Sequence, residues 1–144
     1  IYDLKPAILE DGLINAIHRH IEIFSASSDI HIDFTYSGDD SGVEYYLTST
    51  AFRIVQETLS NVAKHAKAGN INIELAITKD RIALDVADDG RGFEVAELKT
   101  KSYDHLTGGF GIQGIYERLE LVGGSMDIQS APGKGTSLHI RIPI

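Results

Sequence analysis

One segment of the sequence, a strand-like run that ends in two carboxylates and two glycines, restricts the possible folds more than any other. Large apolar side chains alternate over residues 81–87 and share one face of the predicted strand: Ile82, Leu84 and Val86. Asp88 falls on the same core-facing side, where a carboxylate is costly unless a group donates hydrogen bonds to it. Gly90 and Gly92 follow, and they allow a close approach of the main chain that a β-carbon would hinder. The segment predicts either a tight turn between strands or a site for a flat ring with an amino donor, such as adenine.

A helix predicted over about residues 43–67 carries a polar stripe beside its apolar one. Its apolar stripe has helical spacing: Ala51, Val55, Thr58, Leu59, Val62 and Ala66. Glu57, Asn61 and His65 recur every four residues, and Lys64 lies beside them. The side-chain oxygen of Asn61 is a hard ligand suited to Mg²⁺, Lys64 can meet a phosphate, and Glu57 can polarise a nucleophile. The alternative is an ordinary amphipathic helix with a charged outer face.

A second glycine-rich segment, GGFGIQG at residues 108–114, leads into a predicted helix. Free N–H groups and the positive end of the helix dipole favour a phosphate at such a start. Gly109, Gly111 and Gly114 spell GxGxxG, yet a dinucleotide fold would place this string directly after the first strand. The sequence also lacks a GxxxxGK[ST] loop, which disfavours a Walker-type NTPase.

These segments together resemble the N, G1, G2 and terminal boxes of the GHKL ATP-binding fold, in the same order and at similar spacing. The matching stretches are ETLSNVAKHA at residues 57–66, DDGRGF at 88–93, GGFGIQGIYERLELVGG at 108–124 and GKGT at 133–136. Within that superfamily the chain is most similar to the catalytic ATP-binding domain of bacterial sensor histidine kinases, in the subgroup allied with NarL-type response regulators. Two stretches support this subgroup, LKPAILEDGL at residues 4–13 and QETLSNVAKHA at residues 56–66.

The resemblance implies an α/β architecture, more fully an α+β sandwich of the Bergerat or GHKL type. One mixed, mostly antiparallel sheet of about five strands would be covered on one face by three helices, with a mobile ATP lid at residues 94–108. The hydrophobic periodicity fits this architecture. It predicts helices near residues 8–26, 43–67 and 111–122, and strands near 30–36, 70–78, 81–88, 125–130 and 136–142.

The resemblance also implies ATP and Mg²⁺ as cofactors and assigns roles to single residues. Asn61 would coordinate Mg²⁺ on the phosphates, Glu57 would assist phosphoryl transfer, and Asp88 would accept a hydrogen bond from adenine N6. The other implied nucleotide contacts are Lys64, His65, Gly90, Gly92, Gly109, Gly111, Ile112, Gly114 and Thr136. For Thr136 the alternative is a threonine that merely begins a strand.

The family's phosphoacceptor histidine lies on an upstream dimerisation hairpin that this sequence does not contain. Residues 1–12 are expected to be the end of that hairpin or a connector, and residues 13–144 the ATP-binding domain. The expected partners are the chain's own hairpin and a NarL-type response regulator. The isolated domain would be a monomer and the longer protein a homodimer. Two alternatives remain: another GHKL enzyme, such as an anti-sigma-type serine kinase or a conformational ATPase, and a non-catalytic nucleotide-binding module.

Composition agrees with this reading. The 144 residues, 42% of them hydrophobic, can bury one substantial core. The formal net charge of −8 argues against nucleic acid as a partner. The absence of cysteine fits a reducing compartment, and the resemblance implies a cytoplasmic location in a bacterium. Any membrane anchor would belong to segments outside this chain, because no apolar run here is long enough to span a bilayer.

Overall fold

The computed structural model describes residues 7–95 and 112–144, and this part of the chain contains one five-stranded sheet. The strands are β1 (His31–Ser37), β2 (Asn70–Ile77), β3 (Arg81–Asp88), β4 (Ser125–Ser130) and β5 (Thr136–Pro143). Their order in the sheet is β1-β2-β3-β5-β4. The pair of β1 and β2 is parallel and the other three pairs are antiparallel. The predicted mixed, mostly antiparallel sheet is therefore confirmed.

Three α-helices within the described ranges cover one face of this sheet: α1 (Leu13–Ala26), α2 (Tyr45–Asn61) and α3 (Ile112–Leu121). The covering is visible in the strands, because buried and exposed residues alternate along β2 and the buried ones are all apolar. The apolar faces of α1, α2 and α3 join the same core as these strands. None of the helices in the described ranges is long and apolar enough to cross a membrane.

One predicted helix boundary is wrong. The first helix begins at Leu13 and not near residue 8, because a short 3-10 turn (Ala7–Leu9) precedes it and Gly12 has a φ of 92°. The carboxylate of Asp40 then accepts a hydrogen bond from the backbone N–H of Ile14 at 2.8 Å. The second helix ends at Lys67, whose φ is 53°, close to the predicted end, but it leaves α-helical geometry after Asn61 and continues as a π-helical turn (Val62–Ala66).

Candidate functional site

The helix-covered face of the sheet becomes polar at one end. Asp88 of β3 pairs with Thr136 of β5, and Thr136 pairs with Ser130 of β4, so the three side chains form one row across the sheet. In the next row inward, Val86 pairs with Leu138, and both are buried. The polar row therefore lies at the border between the apolar core and the end of the sheet.

A pocket opens where α2 and the start of α3 pass over this end of the sheet. Its lining residues are Thr58, Asn61, Val62, Val86, Asp88, Gly92, Phe93, Ile112, Thr136 and Leu138. The hydroxyl of Thr58 is occupied within α2, because it donates to the carbonyl oxygen of Ile54 at 2.7 Å. The polar character of the wall therefore comes mainly from Asn61, Asp88 and Thr136. The pocket combines apolar sides with a few converging polar groups, as small-molecule sites do.

Five of the residues predicted for the site line this one pocket: Asn61, Asp88, Gly92, Ile112 and Thr136. They come from α2, β3, the loop after β3, α3 and β5, which are separated in the sequence and meet only in the fold. The helix α3 begins at Ile112, which lines the pocket, so the positive end of this helix lies beside the pocket. Residues predicted from four separate motifs thus line the same pocket.

Asp88 is a partly buried carboxylate with a raised pKa. Burial raises its pKa above the ordinary value of 3.8, and the neighbouring charge of Asp89 acts in the same direction. Backbone N–H groups of Gly90 and Thr136 oppose this shift, and the Gly90 N–H lies 2.8 Å from Asp88 Oδ1. A carboxylate can accept about four hydrogen bonds, so two backbone donors leave acceptor capacity on the pocket side.

Asp89 points to the other side of the sheet, as the alternation predicts. Its Oδ1 accepts from the backbone N–H of Gly69 at 2.8 Å and of Asn70 at 2.9 Å, and its Oδ2 accepts from the Asn70 side chain at 2.8 Å. The Asn70 and Gly69 hydrogen bonds lower the pKa of Asp89. This carboxylate therefore ties the beginning of β2 to the end of β3 and does not line the pocket.

Gly92, in the loop after β3, allows a close approach of the main chain, as predicted, and the neighbour within the described residues is protein backbone. Gly92 has a φ of 64°, and a β-carbon there would overlap the carbonyl oxygen of Ala131 in the β4–β5 turn. Gly135 in that turn has a φ of 74°, and a β-carbon there would overlap the carbonyl oxygen of Asp88. The close approach at these two glycines is therefore to protein backbone. The loop and the turn lock together beside the pocket, and Gly92 still lines it.

Two other predicted polar residues of the long helix lie beside the pocket rather than in its wall, as far as the described residues form it. Glu57 is partly buried one turn before Asn61, on the same helix. Lys64 is exposed in the π-helical turn. The side chain of His65 lies outside what the structure describes.

Of the four remaining predicted glycines, two are described and do not line the pocket, and two lie outside the described residues. Gly90 is buried behind Asp88 and supplies it with a hydrogen bond, but does not itself line the pocket. Gly114 lies near the start of α3, and apart from its own stretch of helix no described atom is within 4 Å of a β-carbon built there. Gly109 and Gly111 lie outside the described residues, together with most of the predicted lid.

Sequence reasoning missed Ser130, which connects three parts of the site. The backbone N–H of Phe93 donates to Ser130 Oγ at 3.0 Å, and Ser130 Oγ donates to the carbonyl oxygen of Gly135 at 2.9 Å. Ser130 Oγ also lies 2.9 Å from Thr136 Oγ1. Its inward position follows from strand alternation, because Met126 and Ile128 of the same strand pack against the core. Its partners depend on the register of β4 against β5, which the sequence does not show.

Comparisons with known proteins agree with this geometry. The family model described as histidine kinase-, DNA gyrase B-, and HSP90-like ATPase matches residues 47–144. The chain is 33% identical over 145 aligned positions to the signal transduction histidine-protein kinase/phosphatase DegS of Brevibacillus brevis, which covers 100% of the chain and 36% of that protein. It is 35% identical over 144 positions to the sensor histidine kinase LiaS of Bacillus subtilis, covering 98% of the chain and 37% of that protein. The chain thus spans just over a third of the length of these relatives.

Solved structures show the same fold at lower sequence identity. The histidine kinase domain of a blue-light activated kinase from Erythrobacter litoralis superposes with a TM-score of 0.67 at 19% identity, over 91% of this chain and 60% of that chain. The mycobacterial sensor histidine kinase MprB superposes with a TM-score of 0.64 at 24% identity, over 88% and 91% of the two chains. The family resemblance drawn from the four sequence motifs is confirmed, and the chain belongs to the histidine kinase-, DNA gyrase B-, and HSP90-like ATPases.

Proposed function

We propose that the chain is the ATP-binding catalytic domain of a sensor histidine kinase. It binds Mg-ATP and donates the γ-phosphoryl group to a histidine on a dimerisation hairpin outside this chain. The observation that carries the proposal is Asp88, a half-buried carboxylate with acceptor capacity left over, set in a pocket with apolar sides. Such a carboxylate is costly in an empty core and becomes favourable when a ligand donates to it.

One set of residues lining the pocket fits the base of the nucleotide. Asp88 would accept a hydrogen bond from the exocyclic amino group of adenine. Val86, Ile112 and Leu138 offer apolar surface for the faces of a flat ring. Thr136 lies next to Asp88 in the polar row and would support the same edge of the base.

A second set of residues, in the pocket wall or beside it, fits the phosphates and their cation. The side-chain oxygen of Asn61 is suited to Mg²⁺, an ion that proteins hold through one or two oxygens together with phosphates and water. Lys64, about one turn further along, adds positive charge, and the start of α3 at Ile112 adds backbone N–H groups and the positive helix end. His65 would also lie near the phosphates, and Gly109, Gly111 and Gly114 would flank them and the lid. Gly90 and Gly92 would pass under the base.

In phosphoryl transfer, a protein contributes mainly by positioning the reacting groups and by neutralising their charge. Bound Mg²⁺ supplies neutralisation of the phosphate oxygens. Glu57 lies one helical turn from Asn61, so a group that orients the incoming nucleophile and a group that holds the cation are fixed on one rigid helix. Glu57 is for this reason the proposed catalytic residue.

The longer protein would supply the remaining parts. Residues 1–12 would connect the hairpin to residues 13–144; of these, residues 1–6 lie outside the described residues, and residues 7–12 lead directly into α1. The relatives are named as a signal transduction histidine-protein kinase/phosphatase and a sensor histidine kinase. We extend these names to a cytoplasmic bacterial kinase that is a homodimer when complete, a monomer as this domain, and partnered with a NarL-type response regulator.

The test is transfer of label from γ-phosphate-labelled Mg-ATP to the longer protein that includes the upstream hairpin. The labelled protein is then treated with acid and with base. We expect label that is lost in acid and retained in base, which indicates phosphohistidine. Glu57→Gln should slow labelling by about 100-fold or more while ATP binding persists. Glu22→Gln, a matched change at an exposed residue of α1, should label at the wild-type rate.

Other outcomes would replace the proposal. Acid-stable label would indicate a serine kinase of the same fold. ATP binding without any label would indicate a nucleotide-binding module. Wild-type labelling by Glu57→Gln would remove Glu57 from the catalytic role and leave Asn61 and the helix end as the main contributors.

A further inference from the structure

The hydrogen bonds of Ser130 determine which way the hydroxyl of its neighbour points. Ser130 Oγ has three partners: the backbone N–H of Phe93 at 3.0 Å, the carbonyl oxygen of Gly135 at 2.9 Å and the hydroxyl of Thr136 at 2.9 Å. A serine hydroxyl has one proton to donate and two lone pairs to accept with. Three partners therefore use its full capacity.

The direction of each bond follows from this count. The carbonyl oxygen of Gly135 can only accept, so the Ser130 proton goes to it. The Phe93 N–H can only donate, so it takes one of the two lone pairs of Ser130. The second lone pair must accept from Thr136, which means that the Thr136 proton points at Ser130 and away from the pocket. Thr136 then has only lone pairs to offer to a ligand.

We propose that Ser130, which is not among the residues lining the pocket, is a specificity-determining positioning residue that makes the polar wall formed by Asp88 and Thr136 accept hydrogen bonds only. The inference rests on the proposed function. Asp88 accepts because it is a carboxylate, and Thr136 accepts because Ser130 takes its proton. Such a wall selects a base with an amino group at the 6-position and rejects a purine with a carbonyl oxygen there, since two acceptors facing each other leave both unpaired.

Loss of the Ser130 hydroxyl would change the character of this wall. In Ser130→Ala, the Thr136 proton loses its acceptor and becomes free to rotate into the pocket. Thr136 can then donate to a carbonyl oxygen on the base. A role of Ser130 in holding the Phe93 loop alone would act differently, because a displaced loop weakens the binding of both kinds of base to a similar extent.

The experiment compares ATP with inosine triphosphate by calorimetry on this chain with Mg²⁺. The two nucleotides have identical phosphates and differ only along one edge of the base, where inosine has a carbonyl oxygen at the 6-position and a proton on N1. The ratio of their dissociation constants therefore isolates the recognition of that edge. We expect wild type to prefer ATP, and Ser130→Ala to reduce this preference by about tenfold, the value of one hydrogen bond. Ser130→Thr keeps the hydroxyl and should retain the wild-type ratio.

Two further variants keep the test decisive. Ser130→Cys preserves size but accepts hydrogen bonds weakly, so it should also lower the ratio if Ser130→Ala does not fold. Ser125→Ala makes the same change on the opposite face of β4, where residue 125 is exposed, and should leave the ratio unchanged.

An unchanged ratio in Ser130→Ala and Ser130→Cys, with both affinities lowered equally, would overturn the inference and leave Ser130 as a support of the loop. A lowered ratio in Ser125→Ala would overturn it as well. Failure of wild type to bind ATP would be a different result, because it would reject the proposed function on which the inference rests.

Discussion

The pocket side and the outer side of the sheet differ most at the end of β3, where two aspartates follow each other. Asp88 faces the pocket, where burial raises its pKa and two backbone N–H groups are its donors. Asp89 faces outward, where hydrogen bonds from Asn70 and Gly69 lower its pKa. Both residues have the same side chain and adjacent positions, yet the two sides of the sheet shift their acidities in opposite directions.

Under the proposed function, this difference separates a carboxylate that binds the nucleotide from one that stabilises the fold. Three donors within 3 Å occupy Asp89, so its charge is stabilised in the fold itself. Asp88 is ionised at a cost that its two backbone donors do not remove, as its raised pKa shows. A ligand with an amino donor would supply the missing stabilisation. Replacing Asp88 should therefore change the affinity for the nucleotide, whereas replacing Asp89 should change the stability of the fold.

The largest expected effect is the loss of nucleotide affinity in Asp88→Asn. The amide presents a donor where the carboxylate accepted, so a charge-assisted hydrogen bond to adenine is lost. We expect the dissociation constant for Mg-ATP to rise by about 100-fold, which corresponds to about 2.7 kcal/mol. The unfolding temperature should stay equal or rise, because the costly buried charge is removed. Calorimetric titration and thermal unfolding of the same samples measure both effects.

Unchanged ATP affinity and base preference in Asp88→Asn would show that the assignment of Asp88 to adenine is wrong. A large loss of stability with that substitution would show that the charge of Asp88 serves folding. Either result would remove the contrast between the two sides of the sheet.

A somewhat smaller effect is expected on stability from Gly135→Ala. Its φ of 74° strains any residue with a β-carbon, and that atom would overlap the carbonyl oxygen of Asp88. We expect the free energy of unfolding to fall by about 2 kcal/mol. Gly133→Ala is the matched control, because its φ is 78° and no described atom beyond its two chain neighbours lies within 4 Å of a β-carbon built there. Urea denaturation should show a loss of only about 1 kcal/mol there.

Equal losses in the two glycine variants would indicate that backbone strain alone is responsible. The overlap of the added β-carbon with the end of β3 would then contribute nothing to the loss of stability. The close contact between the β4–β5 turn and the end of β3 would not be needed for the stability of the fold.

The architecture could be predicted because its pattern is local. Apolar residues alternate in β2, β3 and β5 with a period of two, which determines the inner face of the sheet without knowledge of the pairing. The start of α1 could not be predicted in this way. It depends on Gly12 and on Asp40, which binds the N–H of Ile14 across 26 residues of sequence. The π-helical turn was also missed, because the apolar stripe runs through it without a break.

The candidate site was predictable where a motif names a residue, and less so where the fold supplies the partner. Asn61, Asp88 and Thr136 were predicted from motifs and line one pocket. Gly92 was predicted as a point of close approach, but the sequence did not show that its neighbour is the backbone of a turn almost 40 positions away. Ser130 escaped because its three partners meet it only through the register of β4 and β5 and the loop after β3.

A further effect, smaller than that of Gly135→Ala, is expected from Asp89→Ala. The substitution removes the acceptor of the Gly69 and Asn70 N–H groups, so the start of β2 loses its connection to β3. The unfolding temperature should fall while the affinity for Mg-ATP stays near the wild-type value. Asp127→Ala, at an exposed acid on the same outer face of the sheet, should change neither quantity. A loss of ATP affinity in Asp89→Ala comparable to that in Asp88→Asn would contradict the division between the two sides.

The smallest effect is a difference in sign between two pH profiles of stability. The raised pKa of Asp88 means that the folded state holds its proton more tightly than the unfolded state, so the stability from this group is complete below the unfolded pKa and is lost as pH rises through the folded pKa. The lowered pKa of Asp89 means the reverse: its contribution is complete above the unfolded pKa and is lost as pH falls through the folded pKa. Urea denaturation on both sides of the ordinary aspartate pKa of 3.8 should show this. With increasing pH, the stability of wild type minus that of Asp88→Asn should fall above that pKa, and the stability of wild type minus that of Asp89→Asn should rise below it. If both stability differences changed in the same direction with increasing pH, the two sides of the sheet would not shift the pKa values of Asp88 and Asp89 in opposite directions. This conclusion would hold whatever the effects on ATP binding.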